Sequence, residues 1–221
     1  MIAKELINYM IPPLKPTDDI GQAQLWMDEL RLSQLPVSEE GKFLGVITED
    51  MLFDSNFRFG DVGSYPLVAQ DAKVNAFSHY YDVLKVASSE NTKLVAVMDD
   101  LNQYMGVISM EDIVEAFAKS SSVANPGAIL TLKLNAVDYS LSEISRLVES
   151  NDAKILTSYI SEFPEDPSKL LLTIKINIED VNRIVASFGN HGFTVESSFS
   201  TSESSFDEQE RLDIFMKYLK I

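Results

Sequence analysis

The sequence predicts an α+β protein in two parts, and three observations carry the prediction. One phrase is written twice, "GVITEDML" from Gly45 and "GVISMEDIV" from Gly106, each closing a helix–strand–turn–strand run and opening another helix. Self-similarity at a period of about sixty residues marks two copies of one supersecondary unit packed on each other. The texture then changes at "KSSSVANPG" (119–127), a small, polar, turn-rich linker. Beyond it the order is strand, helix, strand, strand, helix, strand over about seventy residues, the order of a ferredoxin-like sandwich.

In the first copy, "PTDDIGQAQLWMDELR" (16–31) starts as a helix, with Thr17 or Asp18 able to cap it. Ile20, Ala23 and Met27 share one face, leaving Gln24, Asp28 and Arg31 for the wet side, and Trp26 is read as a core or interface anchor. "LPVSEEGKFLGVIT" gives a strand, a turn at Glu39-Glu40-Gly41 and a second strand, and a short helix follows from Glu49. In the second copy, "DAKVNAFSHYYD" (71–82) predicts a helix with Val74, Phe77 and Tyr81 on one face. "LVAVMDDLNQYMGVIS" is again strand, acidic turn, strand, one residue longer than its counterpart, and "MEDIVEAFAK" is the closing helix.

After the linker, "AILTLKLN" alternates as a strand and "SLSEISRLVESN" is amphipathic. "AKILTSYISEF" and "KLLLTIKIN" are strands joined by the two-proline turn "PEDPS". "IEDVNRIVASFGNHG" is a helix ending at Gly189 or Gly192, and "FTVESSF" is the last strand. A Ser-rich piece, "SSFSTSESS", leads to a closing helix "DEQERLDIFMKYLK" with Leu212, Phe215, Met216 and Leu219 as its stripe. The boundaries expected are 1–60 and 61–120 for the copies, 127–200 for the sandwich and 201–221 for the linker and last helix.

Composition excludes several function classes. Acidic residues outnumber basic ones by 34 to 18, for a net charge of −16, and no Lys/Arg cluster offers phosphate a local partner. Binding to nucleic acid or anionic lipid is not expected. The absence of cysteine excludes disulfides, thiolate metal sites and cysteine nucleophiles. No apolar run of membrane-spanning length and no signal-peptide pattern occurs, so a soluble, cytoplasmic protein is expected. His79 and His191 are too far apart in sequence and context to suggest a metal site or triad, and no Gly-rich phosphate loop is present, so the chain is not read as an enzyme.

The repeated unit resembles the CBS domain, which almost always occurs as a tandem pair. Pro16, Ile20 and Ala23, Leu35-Pro36-Val37 and Gly45 to Thr48 carry the resemblance in the first copy; Val74, Val95 to Val97 and Gly106 to Asp112 carry it in the second. The block after the linker resembles an ACT domain, and the order of the whole is similar to the acetoin-utilisation accessory proteins of bacteria. The resemblance implies two βαββα units followed by an ACT-like domain, with ligand sensing in place of chemistry. CBS pairs hold adenosyl compounds between the copies, AMP, ADP, ATP, S-adenosylmethionine and sometimes NAD, and AMP, ADP and ATP rank together ahead of the others here. With so much negative charge a polyphosphate needs the basic residues nearest the motifs in sequence, Lys15, Lys42, Arg58 and Lys119, or a bound magnesium. A homodimer and a regulated partner protein are implied as well. In the family's Gly-apolar-apolar-Thr/Ser-x-x-Asp motif the hydroxyl faces phosphate or ribose and the Asp accepts from ribose hydroxyls. That maps onto Gly106, Val107, Ile108, Ser109 and Asp112, and onto Thr48 and Asp50 in the first copy.

The residues themselves suit the task. Ser109 falls where a strand becomes a helix, so free amides and the helix dipole favour an anion there. Asp112, three positions on, projects from the same side, and a carboxylate can accept from vicinal hydroxyls. Val107 and Ile108 offer flat apolar walls for adenine. The same Ser-x-x-Asp spacing also writes a helix capping box, which needs no ligand. The copies then differ: three residues after Thr48 stands Met51, and one residue along a helix is a turn of about 100°, so Asp50 does not take the place of Asp112. One site on the second copy is expected, with the first degenerate. In the ACT-like block the loop "NAVDYSLSEI" carries Asp138 but no glycine, so a structural or dimerising role is favoured there over amino-acid sensing. A dimerisation scaffold without ligand is the remaining alternative.

Overall fold

A computed structural model describes residues 1–53, 60–119 and 121–200. The chain divides into two compact units, Met1–Ala118 and Lys119–Ile221. The closing helix expected over 207–220, and Arg58 near the first motif, lie outside the described residues.

In the first unit, α1 (Ile20–Leu30) precedes the antiparallel hairpin β1 (Gln34–Glu39) and β2 (Lys42–Thr48), then α2 (Glu49–Phe53). The second copy runs β3 (Lys73–Asn75), α3 (Tyr80–Ser89), β4 (Leu94–Met98), β5 (Tyr104–Ser109) and α4 (Met110–Ala118). β3 lies parallel to β4, and Leu14 makes the matching parallel bridge to Val37 in the first copy. Each copy is therefore βαββα, the leading strand of the first being a single bridge. The copies match 60 residues apart up to the hairpin turn and 61 beyond it, and both hairpins break register at the same place, Val37/Ser38 and Val97/Met98.

Two local expectations need correcting. The cap of α1 is Asp19, whose Oδ1 accepts from the Gly21 amide at 2.7 Å, while Asp18 accepts from the Lys15 amide and closes the turn before it. Residues 71–82 are not one helix. Ala72, Val74 and Ala76 are buried alternately, a period of two that makes a strand, and Asn75 Oδ1 then turns the chain by accepting from the Phe77 amide. α3 starts only at Tyr80, behind His79 as cap.

The leading segments are exchanged between the copies. Ala3, Leu6 and Ile7 are buried in the core of the second copy with Val83, Val95, Val97 and Ile108. Val62 and Tyr65, which precede the second copy, are buried in the core of the first with Leu14, Leu35, Val37 and Ile47. The Asn8 amide donates to Val107 O on β5 at 2.8 Å; at the matching positions Val68 exchanges two bonds with Val46 on β2, at 2.8 and 3.0 Å. The hairpins also meet face to face: Leu94, Ala96 and Met98 of β4 join the first core, and the matching rings Phe43 and Tyr104 stack with centroids 6.1 Å apart.

The second unit opens with a single turn, α5 (Ser121–Ala124), inside the expected linker. It continues as β6 (Ile129–Asn135), α6 (Leu141–Glu149), β7 (Ile155–Glu162), β8 (Lys169–Ile176), α7 (Asn182–Asn190) and β9 (Thr194–Phe199). The sheet order is β7-β8-β6-β9 with every pair antiparallel, the ferredoxin-like arrangement. Leu130, Leu132 and Leu134 and then Leu172, Ile174 and Ile176 alternate onto one face and pack on Ile144, Leu147, Ile184 and Phe188 of the helices. The protein is thus α+β in both units.

Candidate functional site

The β5–α4 corner is built by the second phrase. Gly106 stands at φ 149°, where a Cβ would meet Ile7 Cγ2 at 2.6 Å, so glycine lets the leading segment lie against β5 without strain or a shift of Ile7. Val107 and Ile108 are fully buried, Val107 in the first core and Ile108 in the second. Ser109, 3% exposed, pairs with Leu94 across the hairpin and caps α4. Its Oγ accepts from the Asp112 amide at 3.1 Å and donates to Asp112 Oδ2 at 2.6 Å. The Ser109 amide also donates to Oδ2, at 2.8 Å. This is a reciprocal capping box with aspartate in the third helical position.

The other oxygen of Asp112 has a different partner. Asn8, 104 residues away, donates through Nδ2 to Oδ1 at 2.9 Å. Asn8 Oδ1 accepts from the Met10 amide at 2.9 Å, so both ends of its amide are used. The half-buried carboxylate of Asp112 thus stands where the two copies exchange segments, held by Ser109 and touched by one side chain of the other copy.

In the first copy the corner is different. Thr48 is half-buried opposite Gln34, Asp50 is exposed on α2, and Met51 packs on the first core. The structure therefore brings Gly106, Ser109 and Asp112 together at one corner and puts Thr48 and Asp50 at the other.

A cavity of about 380 Å³ opens beside both corners, where β1 and β4 begin. Glu49 and Glu111 line it from the first turns of α2 and α4, with Asp28, Arg31 and Lys93 around Met27, Leu32 and Leu94. Gln34 Oε1 ties the seam below it, accepting from Thr92 Oγ1 at 3.0 Å and from the Lys93 amide at 2.9 Å. Arg31 and Lys93 are the cations that reading the motifs missed. The hairpin register held the signal for Lys93: Leu94 pairs with Ser109, so the residue before Leu94 must neighbour the start of α4, and Lys93 O accepts from the Met110 amide at 3.1 Å. Arg31 caps α1 in the left-handed conformation, φ 56°, a position that no pattern of residue types reveals. Of the other cations near the motifs, Lys15 lines a separate cavity with Thr17 and Glu39, and Lys42 is exposed.

The second unit holds a cavity of about 390 Å³ at the loop after β6, lined by Lys133, Asp138, Glu143, Lys169 and His191. Asp138 accepts from Asn135 Nδ2 at 2.8 Å, and Gly192 supplies the glycine that the loop itself lacks. Among the described residues no group of acidic and histidine side chains could hold a metal ion, and no helix is long and apolar enough to cross a membrane.

No protein-family model matches the sequence. Among solved structures the chain is similar to CBS domain pairs. One is a CBS domain pair/ACT domain protein from Thermotoga maritima, 18% identical, covering 54% of this chain and 98% of that one with a TM-score of 0.48. Another is CBSX2 in complex with AMP, 17% identical over 53% of this chain and 96% of that one, TM-score 0.44. A third is a CBS domain pair in complex with 5′-methylthioadenosine and S-adenosyl-L-methionine, 21% identical over 53% and 96%, TM-score 0.43.

Proposed function

We propose that the Met1–Ala118 unit is a regulatory, non-catalytic module that takes an adenosyl ligand (AMP, ADP or ATP) at the β5–α4 corner of its second copy. The observation that carries the reading is the carboxylate of Asp112: half-buried at the seam, oriented by two donors from Ser109, and presenting Oδ1 to a donor from outside its own helix. A ribose supplies such donors as a pair of vicinal hydroxyls. Asp112, Ser109 and Asn8 do not line the cavity of Lys93 and Arg31, which reaches α4 at Glu111, so phosphates would meet those cations by extending from Asp112 past the N-terminal end of α4. Three carboxylates line the same cavity, so a polyphosphate would arrive with magnesium. Ser109 acts in this reading by holding Asp112. With Met51 packed in the core where Asp112 would stand, the first copy offers no second site of this kind.

Phe53 on α2 and Val114 on α4 occupy matching positions, and each is 68% exposed. A face with its own pseudo-twofold suits an isologous homodimer. A ligand that binds one arrangement of the copies better than another would shift the dimer's population and present or withdraw a surface for the regulated protein. The second unit is assigned an ACT-like role. Its mixed lining of Lys133 and Lys169 with Asp138 and Glu143 favours one second reading, a zwitterionic amino acid as a further ligand. The order of parts remains similar to that of acetoin-utilisation accessory proteins, with a cytoplasmic location.

Calorimetric titration of AMP, ADP, ATP, S-adenosylmethionine and NAD tests the main reading. Binding to the parent should weaken by about tenfold or more in Asp112→Ala, the loss of a charged hydrogen-bond acceptor, and persist in Asp50→Ala. Silence from every ligand in folded protein leaves the repeated phrase as a helix cap in a dimerisation scaffold. Amino acids titrated into parent and Asp138→Ala decide the second reading.

A further inference from the structure

Asn8 and Asp112 are joined across 104 residues by one hydrogen bond between side chains, and the matching positions of the other half of the pseudo-symmetric pair are Val68 and Met51. A polar pair on one side is thus an apolar pair on the other. The backbone interlock does not need the polar version, because Val68 keeps its two main-chain bonds to Val46, at 2.8 and 3.0 Å, without any side-chain donor. The Asn8 amide group is an addition to an interlock that already works. Its position matters because Oδ2 of Asp112 already receives two donors from Ser109, at 2.6 and 2.8 Å. An incoming hydroxyl must therefore land on Oδ1, and Oδ1 is where Asn8 sits at 2.9 Å.

We propose that Asn8 is an internal competitor for the ligand's acceptor and so sets ligand affinity, a reading that rests on the nucleotide site above. Oδ1 has places for two donors and the amide holds one of them, so a ribose that brings both of its vicinal hydroxyls to Oδ1 displaces Asn8 and leaves Asp112 satisfied. Displacement removes the side-chain tie between α4 and the leading segment. That segment remains held by the main-chain bonds Ala3 N to Ser78 O and Lys4 N to Ala76 O, each 2.9 Å, and by Asn8 N to Val107 O. Ligand occupancy and the grip of residues 3–10 on the second copy are thereby linked: whatever loosens the tie tightens binding, and binding loosens the tie.

The test uses the full chain and AMP as probe, with Asn8→Val, Asn8→Ala and Asp112→Ala. Asn8→Val installs the residue that the first copy tolerates in the same backbone pairing, and thermal melts check that every variant is folded. AMP should bind Asn8→Val and Asn8→Ala about tenfold more tightly than the parent, the worth of one charge-assisted hydrogen bond no longer to be broken. Hydrogen exchange over residues 3–10 should quicken when AMP is added to the parent and already be quick in free Asn8→Val. Equal or weaker AMP affinity in both Asn8 variants, with the parent binding, overturns the competitor and leaves the nucleotide site standing. No binding to the parent or to either Asn8 variant overturns both.

Discussion

At the scale of single residues, the copies diverge by matched exchanges across the seam. Asn8 and Asp112 answer Val68 and Met51, and the polar contact between Gln34 and Thr92 answers Leu94 and Leu32. Tyr104 answers Phe43, but its hydroxyl is buried without a hydrogen-bond partner among the described residues. A buried unpaired hydroxyl carries a desolvation penalty on the order of 1–3 kcal/mol. Tyr104→Phe should therefore raise stability by about 1 kcal/mol, read as a higher urea midpoint at unchanged slope. Burial also pushes the Tyr104 phenol far above its ordinary value of 10.0, and burial with help from Tyr81 pushes Tyr80 up to about 12. Above pH 10 the unfolded chain releases these protons while the native state keeps them. Stability is then full below about pH 10 and falls as pH climbs toward the native values. The fall should be shallower in Tyr104→Phe when denaturation is followed between pH 9 and about pH 12.

Among the elements, the two phrases owe their shared first letter to close approach. Gly45 and Gly106 stand at φ 139° and 149°, and each faces the leading segment that precedes the other copy. A Cβ at Gly45 would lie 2.8 Å from the Val68 carbonyl oxygen, which is pinned in a backbone pairing; at Gly106 it would meet a side-chain methyl of Ile7. Gly45→Ala should cost about 3 kcal/mol and Gly106→Ala about 2, the difference being the freedom of Ile7 to turn. Urea denaturation of the two variants ranks them, and the reverse order would mean that the Val68 strand yields more easily than Ile7. Helix caps show the same dependence on neighbours. Thr17, Asp18 and Asp19 are all chemically able to cap α1, and Asp19 wins because the main chain there pairs with Asp61 and points the carboxylate at Gly21.

Across the whole Met1–Ala118 unit, the exchanged segments make two copies into one cooperative body. Neither core closes with the residues of its own copy alone, since Ala3, Leu6 and Ile7 serve the second and Val62 and Tyr65 serve the first. Removing residues 1–8 should cost several kcal/mol, on the scale of about 1.5–3 kcal/mol for each large buried side chain. The loss should appear as one lowered thermal transition for both copies. Separate transitions, with the first copy unmoved, would show that the copies fold independently.

The order of elements, the duplication, the ferredoxin-like second unit and the corner formed by Ser109 and Asp112 were legible in the sequence. Periodicity and capping chemistry are local, and residues within a few positions of one another fix them. The misread span 71–82 shows where that logic stops. Val74, Phe77 and Tyr81 satisfy a helical spacing, but Val74 lies on a strand beside Val97, a pairing that depends on a partner 23 residues away. Tertiary structure alone decided that Asn8 meets Asp112, that Arg31 and Lys93 share one cavity, and that each leading segment crosses to the other copy. Those contacts join groups 22 to 104 residues apart, from Val46 with Val68 to Asn8 with Asp112, and what sets them is the closure of two cores against each other, a condition on the folded whole that no single stretch of residues carries.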